Sequence, residues 1–459
     1  MPSDTGVATV DAGIDSGVVP IDSGVAPADS GVVPADSGVE PADSGVEPAD
    51  SGVAPADAGP VPVQCGQPFL IDQEPAGDSL GRLGVYAATG QASALTYTNL
   101  SDYSVRVLFH DGTTSSALQL LFTDAEFNGS GSGEAAQGAA RSGFAAFIAP
   151  RRINDASGVI ARRSIAAGTW TGPTPGHSFG TGTNSLAIME NGHVLVGGPL
   201  ARERRQLHLV TYDLAGSFSS TVTIAPFPVE RVSETQLALG PGDHGALVAL
   251  TTDGVLHGYA IRAGILDPNG VELTPPIPAS GLALASLPSG DVYVVWSEGT
   301  ISANTRATTL HYDPGTSQAS FGATEIIGAG SARIHLEGDA AGNLTLLRYS
   351  GGHLLMYRRI GGLWAPPADF GTPNVNGPDT LALDAEGTGY VTFLDASDHL
   401  LVARAAAGSN SWEPPVMVAS LPSSNSHAIG AIGPRGVVIT YNSATGVGGG
   451  TDVYGILCR

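Results

Sequence analysis

Gly176-His177-Ser178-Phe179-Gly180 has the Gly-x-Ser-x-Gly spacing of a nucleophilic serine. That pattern works where a strand turns sharply into a helix and lifts the hydroxyl to the helix N-terminus. Pro173 and Pro175 precede it, and Gly180, Gly182 and Asn184 follow. Neither strand nor helix is therefore expected, and the segment reads as a loop between repeats. Gly131-Ser132-Gly133, within Asn128–Gly133, reads as a loop tip, because no Lys and no helix follow it to complete a phosphate cradle. The sequence has no Lys at all: its 20 basic residues are all Arg. Schiff-base chemistry, a Walker-type loop and a Ser-x-x-Lys nucleophile are thereby excluded.

Three Asp-rich stretches have a faint calcium-loop character: Asp267-Pro268-Asn269-Gly270, Asp339-Ala340-Ala341-Gly342-Asn343 and Asp384-Ala385-Glu386-Gly387. Asp, Asn and Gly are also the residues that hairpin turns require, and that is the reading adopted here. The 11 His show no His-x-His or His-x-x-x-His spacing, so neither a metal site nor a cofactor is expected. The sharpest chemical feature is a concentration of Arg: Arg141, Arg151, Arg152, Arg162, Arg163, Arg202, Arg204 and Arg205, with only Asp155, Glu190 and Glu203 nearby. Arg presents a planar fork that matches carboxylates and sulfates. These residues form either a solvated face that also recruits the protein's own acidic tail or a patch for an acidic polysaccharide or another anionic partner such as a surface protein.

The whole chain points away from nucleic acid. Its formal net charge is -23 over 459 residues, and such a field repels phosphates. Gly 63, Pro 32 and an aromatic content of 6% suit many short strands and tight turns. No stretch approaches the roughly 18 apolar residues of a membrane-spanning helix. The start, MPSDTGVATV, lacks a basic region and an apolar core, so it does not read as a signal peptide. Cys65 and Cys458 bracket everything after the first 64 residues. That placement has a purpose only in an oxidising compartment, so an extracytoplasmic protein is expected, secreted or on the outer surface, with its signal missing from this sequence.

Residues 1–64 are built on Asp-Ser-Gly-Val-x-Pro-Ala, starting at Asp15, Asp22, Asp29, Asp36, Asp43 and Asp50. Pro and Gly in each unit exclude a helix, and about eleven acids with no base keep the segment extended. A disordered acidic linker is expected. It resembles the Asp/Ser/Gly/Pro spacers of surface lipoproteins from high-GC bacteria.

From Cys65 onward a module recurs. Asn184–Pro226 shows it most plainly, as four short β-rich runs at Leu186–Met189, His193–Val196, Gln206–Tyr212 and Thr221–Ala225. A Gly marks the turn into the second run of each copy, at Gly90, Gly143, Gly192, Gly245, Gly290, Gly342, Gly389 and Gly436, spaced by about 45 to 53 residues. Four strands at that period resemble a β-propeller. The expected fold is all-β, with a propeller domain over 65–459 of about eight four-stranded blades, or seven if the first degenerate copy is not a blade. The last copy has three strands only, while Gln67–Asp72 stands alone behind Cys65. That segment is expected to supply the missing outer strand, which brings Cys65 beside Cys458 for a disulfide.

In a propeller the first strand of each copy lines the axial channel. His335 and His427 lie on such strands, and Glu337, Asp384 and Gln236 occupy comparable positions. They are either solvated channel residues or a ligand site. The function expected is a binding or scaffold propeller, monomeric, with an acidic polysaccharide or a surface protein as partner. The alternatives are a carbohydrate-active lyase or hydrolase with its site in the central funnel, and a structural surface protein without a small ligand.

Overall fold

The computed structural model describes residues 62–73, 80–87, 93–99, 104–122, 137–141, 143–150, 158–165, 170–175, 185–199, 206–213, 218–224, 231–273, 279–298, 304–313, 316, 318–330, 333–374, 380–421, 427–432, 435–443 and 451–459. All belong to the compact unit Gly59–Arg459. Of the expected linker 1–64, residues up to 61 lie outside them, while Pro62, Val63 and Gln64 are described and Val63 and Gln64 pack or pair with the ring instead.

The chain folds into eight antiparallel sheets that form an eight-bladed propeller. Seven blades follow the sequence in order. Their first strands are Leu80–Ala87, Gln137–Arg141, Ser185–Ile188, Val232–Leu239, Ala279–Ser286, Ile334–Gly338 and Thr380–Leu383, and blade 8 starts with His427–Ala431. These inner strands contact one another in a closed ring. The degenerate first copy is a true blade, spanning Leu80–Phe122.

Alternation of side chains builds the core. In blade 4, Ala246, Val248 and Leu250 face blade 5, while Leu247 and Ala249 face blade 3. In blade 5, Val292, Val294 and Trp296 face blade 4, and Tyr293 and Val295 face blade 6. Middle strands are thus buried on both faces, which is why they read as continuous apolar runs rather than alternating ones. The hydrophobic core is a set of wedges, one per seam between blades. A single blade has nothing to bury its faces against and depends on its neighbours.

Ring closure follows the sequence reading. Phe69–Gln73 pairs with Asp452–Cys458 as the outer strand of blade 8. Cys65 and Cys458 form a disulfide, with 393 residues between them in sequence. Val63 is buried, and Gln64 exchanges two backbone hydrogen bonds with Arg459 at 2.9 Å each. The closing segment also stitches blade 8 to blade 1. Asp72 accepts from Tyr97 and Arg106, Phe69 packs on His110 with ring centroids 4.8 Å apart, and Ser93 donates to the Ala431 carbonyl.

Three details depart from expectation. The outer strands of blades 4, 5 and 6 are broken in two, as Ile265–Leu266 with Val271–Glu272, Gln318–Phe321 with Glu325–Ala329, and Leu363–Trp364 with Ala368–Asp369. Pro268 and the Pro366-Pro367 pair interrupt two of them, because proline has no N–H for the ladder. Thr171–Pro175 is a strand despite Pro173 and Pro175. It is the outermost strand of its blade, where a missing donor faces no partner. Finally, Gly245 and Gly389 are the first residues of second strands, not the turn residues. The left-handed turn position in those blades belongs to Asp243 (φ 57°) and Gly387 (φ 85°).

Candidate functional site at the turn mouth of the axial channel

The turns joining first and second strands share one geometry. In Met189–His193, Leu287–Asp291, Asp339–Asn343 and Asp384–Thr388, the first residue's N–H donates to the last residue's carbonyl, and a left-handed Gly donates back to the first residue's carbonyl. Each is a type I turn closed by a glycine bulge. The turns meet around one mouth of the channel and enclose a cavity of about 640 Å³.

Cross-blade contacts hold this mouth. Arg141 of blade 2 donates to Asp243 at 3.1 Å, to Glu190 at 3.1 Å, and to the carbonyls of Gly240 at 2.7 Å and Ile188 at 3.2 Å. Glu190 N–H donates to Asp243 at 2.8 Å, and Gly242 N–H donates to Glu190 at 2.8 Å. Blades 2, 3 and 4 are thereby locked together. Asp384 of blade 7 caps its own turn through the N–H groups of Glu386 and Thr388, and its second oxygen accepts from Gly436 of blade 8 at 3.2 Å. Asp339 accepts from the N–H groups of Ala341 and Asn343 and from Asn343 Nδ2. Asp267 accepts from Asn269 N–H at 2.9 Å. The three Asp stretches are hairpin or loop caps, and no group of His, Cys, Asp and Glu among the described residues could hold a metal ion.

Glu337 is different. It lies two residues before the turn of blade 6. The hairpin registers place Tyr86, Ala187, Ala238, Ala285, Ala382 and Gly430 at the same level in six other blades. Inner strands converge there, and a Cβ on Gly430 would come within 2.3 Å of Val85. Five blades carry Ala or Gly at this level, while blade 1 carries Tyr86, packed on Phe147 with ring centroids 5.4 Å apart. Glu337 is the charged residue of the set and lines the cavity with Tyr86. Its side chain reaches solvent through the mouth, yet protein surrounds it, and this desolvation pushes its carboxyl up to about 7. Among the described residues no hydrogen-bond donor serves its carboxylate.

The two channel histidines diverge. His335 lies one level below Glu337 on the same strand and is exposed. His427 is 2% exposed, and burial holds its imidazole down at about 4 despite the nearby Thr392 backbone. It is a neutral core residue and does not face the channel water. Gln236 donates to Glu234 at 3.4 Å, and desolvation raises the Glu234 carboxyl.

The Arg set also divides. Arg163 is 6% exposed, stacked over Phe109 at 4.2 Å and hydrogen-bonded to Gln119 at 2.9 Å. It clamps blade 2 to blade 1 and is not on a solvent-facing patch, a correction that follows from its flat face finding an aromatic partner. Arg141 is held at the mouth as described. Arg162 lies on the strand Gly158–Ser164 beside Arg163. Arg151, Arg152, Arg202, Arg204 and Arg205 lie outside the described residues, as do Gly176–Gly180 and Asn128–Gly133. Elsewhere Arg again joins blades: Arg348 to Thr305 at 2.7 Å, Arg262 over Tyr312 at 3.8 Å and Arg359 over Tyr293 at 4.9 Å.

Sequence reasoning had named Glu337 only as a channel residue and had missed Glu190, Asp243 and Asp339 as parts of the mouth. Aligning the copies on their turns gives the missing signal, since Glu337 is then the charged residue in a column of Ala, Gly and Tyr.

No family model matches the chain, and no curated protein matches it. Among solved structures, the WD40 domain of SCAP from fission yeast is similar with a TM-score of 0.50 and 6% identity, over 85% of this chain and 97% of that one. A prolyl endopeptidase has a TM-score of 0.49 and 13% identity over 82% of this chain and 55% of its own. An ulvan lyase, a polysaccharide lyase, has 0.47 and 10% over 84% and 95%. These are likenesses of fold, and the fold is shared by proteins of unrelated activity.

Proposed function

We propose that the domain is an extracytoplasmic binding propeller that receives a hydroxyl-rich ligand, a neutral or basic glycan, in the cavity at the turn mouth. The observation that supports this most is the lining. Four carboxylates (Glu190, Glu337, Asp339 and Asp384) face one guanidinium (Arg141), beside apolar strips from Val85, Leu239, Leu287, Pro288 and Ile429. Carboxylates accept from sugar hydroxyls, apolar strips pack on the faces of sugar rings, and the volume falls in the range of ligand sites. An acidic polysaccharide is the partner this mouth favours least, since the excess of carboxylates repels it. The disulfide supports an oxidising compartment.

Binding fits better than catalysis because glycoside hydrolysis needs two carboxyl groups working across one bond. Asp339 and Asp384 are committed to backbone donors, and Glu337 stands alone. One observation favours the enzyme reading: a carboxyl poised near 7 suits a general acid or base. Calorimetric titration with neutral oligosaccharides tests the proposal, using the wild type and Ala340→Trp, which fills the mouth from an exposed turn position. Binding lost in the variant supports the cavity. Binding that survives the block overturns it, and product formed in the same samples moves the reading to an enzyme.

A further inference from the structure

The chain enters the propeller at the edge where the ring closes. Gln64 exchanges two backbone hydrogen bonds with Arg459, and Gly66 N–H donates to the Leu457 carbonyl at 2.8 Å. The same antiparallel register continues from Phe69 opposite Gly455 to Gln73 opposite Asp452. Gln64 and Arg459 therefore lie side by side at one end of this pair. That end is the turn-mouth end, because Cys458 sits opposite Val437, the first residue of the second strand of blade 8. A sideways pull on the chain ahead of Pro62 acts on the open end of an antiparallel ladder, where the hydrogen bonds meet the load one after another.

The closing strand is loosely held against such a pull. No residue of Phe69–Gln73 is fully buried, and Leu70 is 53% exposed. Its side-chain anchor, Asp72 with Tyr97 and Arg106, lies at the far end, opposite Val453. Ahead of Cys65, Val63 is buried in the cluster shared by blades 7 and 8, while Pro62 and Gln64 are exposed. Cys65 stands between the Gln64 and Gly66 hydrogen bonds and is joined to Cys458, which is fully buried. The covalent link of the pair is thus placed at its loaded end, one residue behind the first hydrogen-bonded pair.

We infer that the bridge is a mechanical stop. Load arriving along residues 1–61 passes through Cys65 to Cys458 and does not unzip the closing strand. It enters Asp452–Cys458, which is paired on both sides, with Val437–Ser443 and with Phe69–Gln73. The composition of residues 1–61, acidic with Pro and Gly in each repeat, suits a segment that transmits a pull. Only thiol exchange opens such a stop, and an oxidising compartment keeps it shut. The stop is independent of what the cavity binds: it keeps the ring closed while a partner held at the mouth drags on the chain.

Single-molecule pulling on the full chain tests this, between its N-terminus and a handle on Ala341→Cys, an exposed turn position at the mouth. The chain with its bridge is compared with Cys65→Ser/Cys458→Ser and with Asp72→Ala. With the bridge intact, no event is expected before the ring opens. Without it, an early event at lower force is expected, with a gain of up to about 60 Å as the stretch from Val63 to Leu80 straightens. Dithiothreitol added to a bridged molecule under load should give the same event in a chain that is already folded. Its two thiols close to a cyclic disulfide as Cys65 and Cys458 become thiols. Asp72→Ala weakens the same seam with the bridge kept and should show no early event. An early event in the bridged chain or in Asp72→Ala overturns the inference. So does simultaneous release of closing strand and ring, at the wild-type force, once the bridge is reduced.

Discussion

Arg106 Nη1 donates to Asp72 Oδ2 at 2.9 Å across the seam where the ring closes. Asp72 belongs to the strand that completes blade 8, and Arg106 to the third strand of blade 1. Tyr97 shares the same carboxylate oxygen. Asp72→Ala leaves both donors in a half-buried seam. The expected loss is about 1–2 kcal/mol in urea unfolding. A double-mutant cycle with Arg106→Ala should recover a coupling energy of the same sign. Additive losses would show that the closure depends on packing alone.

The disulfide closes the same seam over 393 residues. Native bridges contribute about 2–4 kcal/mol, and long loops tend to the upper end. Cys65→Ser with Cys458→Ser should lower the urea midpoint accordingly. It should also release residues 62–73 to proteases before the rest of the ring, since Phe69–Gln73 is an outer strand. Cleavage starting in an inner blade would contradict this order of opening.

Two titrations oppose each other. His427 is held at about 4 by burial, so the unfolded chain binds its proton first. Its contribution is intact at neutral pH and is lost as pH falls from its ordinary value near 6.5 toward 4, by about 3 kcal/mol at most. Glu337 is raised to about 7, so its folded form takes up a proton first. Desolvation of its charged form costs least below its ordinary value and most as pH rises through 7. The two effects offset between about pH 4.5 and 6.5. Urea melts across that window should show Glu337→Gln losing stability toward acid more steeply than wild type, and His427→Leu losing less. Parallel profiles for all three proteins would contradict these opposed shifts.

Gly387 holds a turn at φ 85°, and a Cβ there would sit 2.7 Å from Asp339 Oδ2. Gly351, at φ 59°, has nothing within 4 Å. Gly351→Ala should cost about 1 kcal/mol from backbone conformation alone. Gly387→Ala should cost more, and it should disturb the cap that Asp339 makes at the mouth. Equal losses in thermal melts would show that the two turns are not in contact.

Much of this fold was legible in the sequence because repetition and alternation are local signals. The eight copies, the missing strand of the last copy and the placement of Cys65 and Cys458 all survive in the structure. The roles of the arginines were not legible. Whether Arg163 meets water or Phe109 depends on the neighbouring blade, and nothing in its own strand reports that. Glu337 was visible but not distinguishable. It stands out from Ala285 and Ala382 only after the turn register is fixed, and Gly245 and Gly389 misplaced two of those turns.

The proposed function requires a ligand to sit in the cavity at the turn mouth. The most direct measurement is a crystal structure of the chain grown with a neutral trisaccharide. Density is expected on the channel axis, with sugar hydroxyls within hydrogen-bond reach of Glu337 and the Ala340 turn in contact with the sugar. Density confined to the circumference, or an empty mouth at saturating trisaccharide, would contradict it.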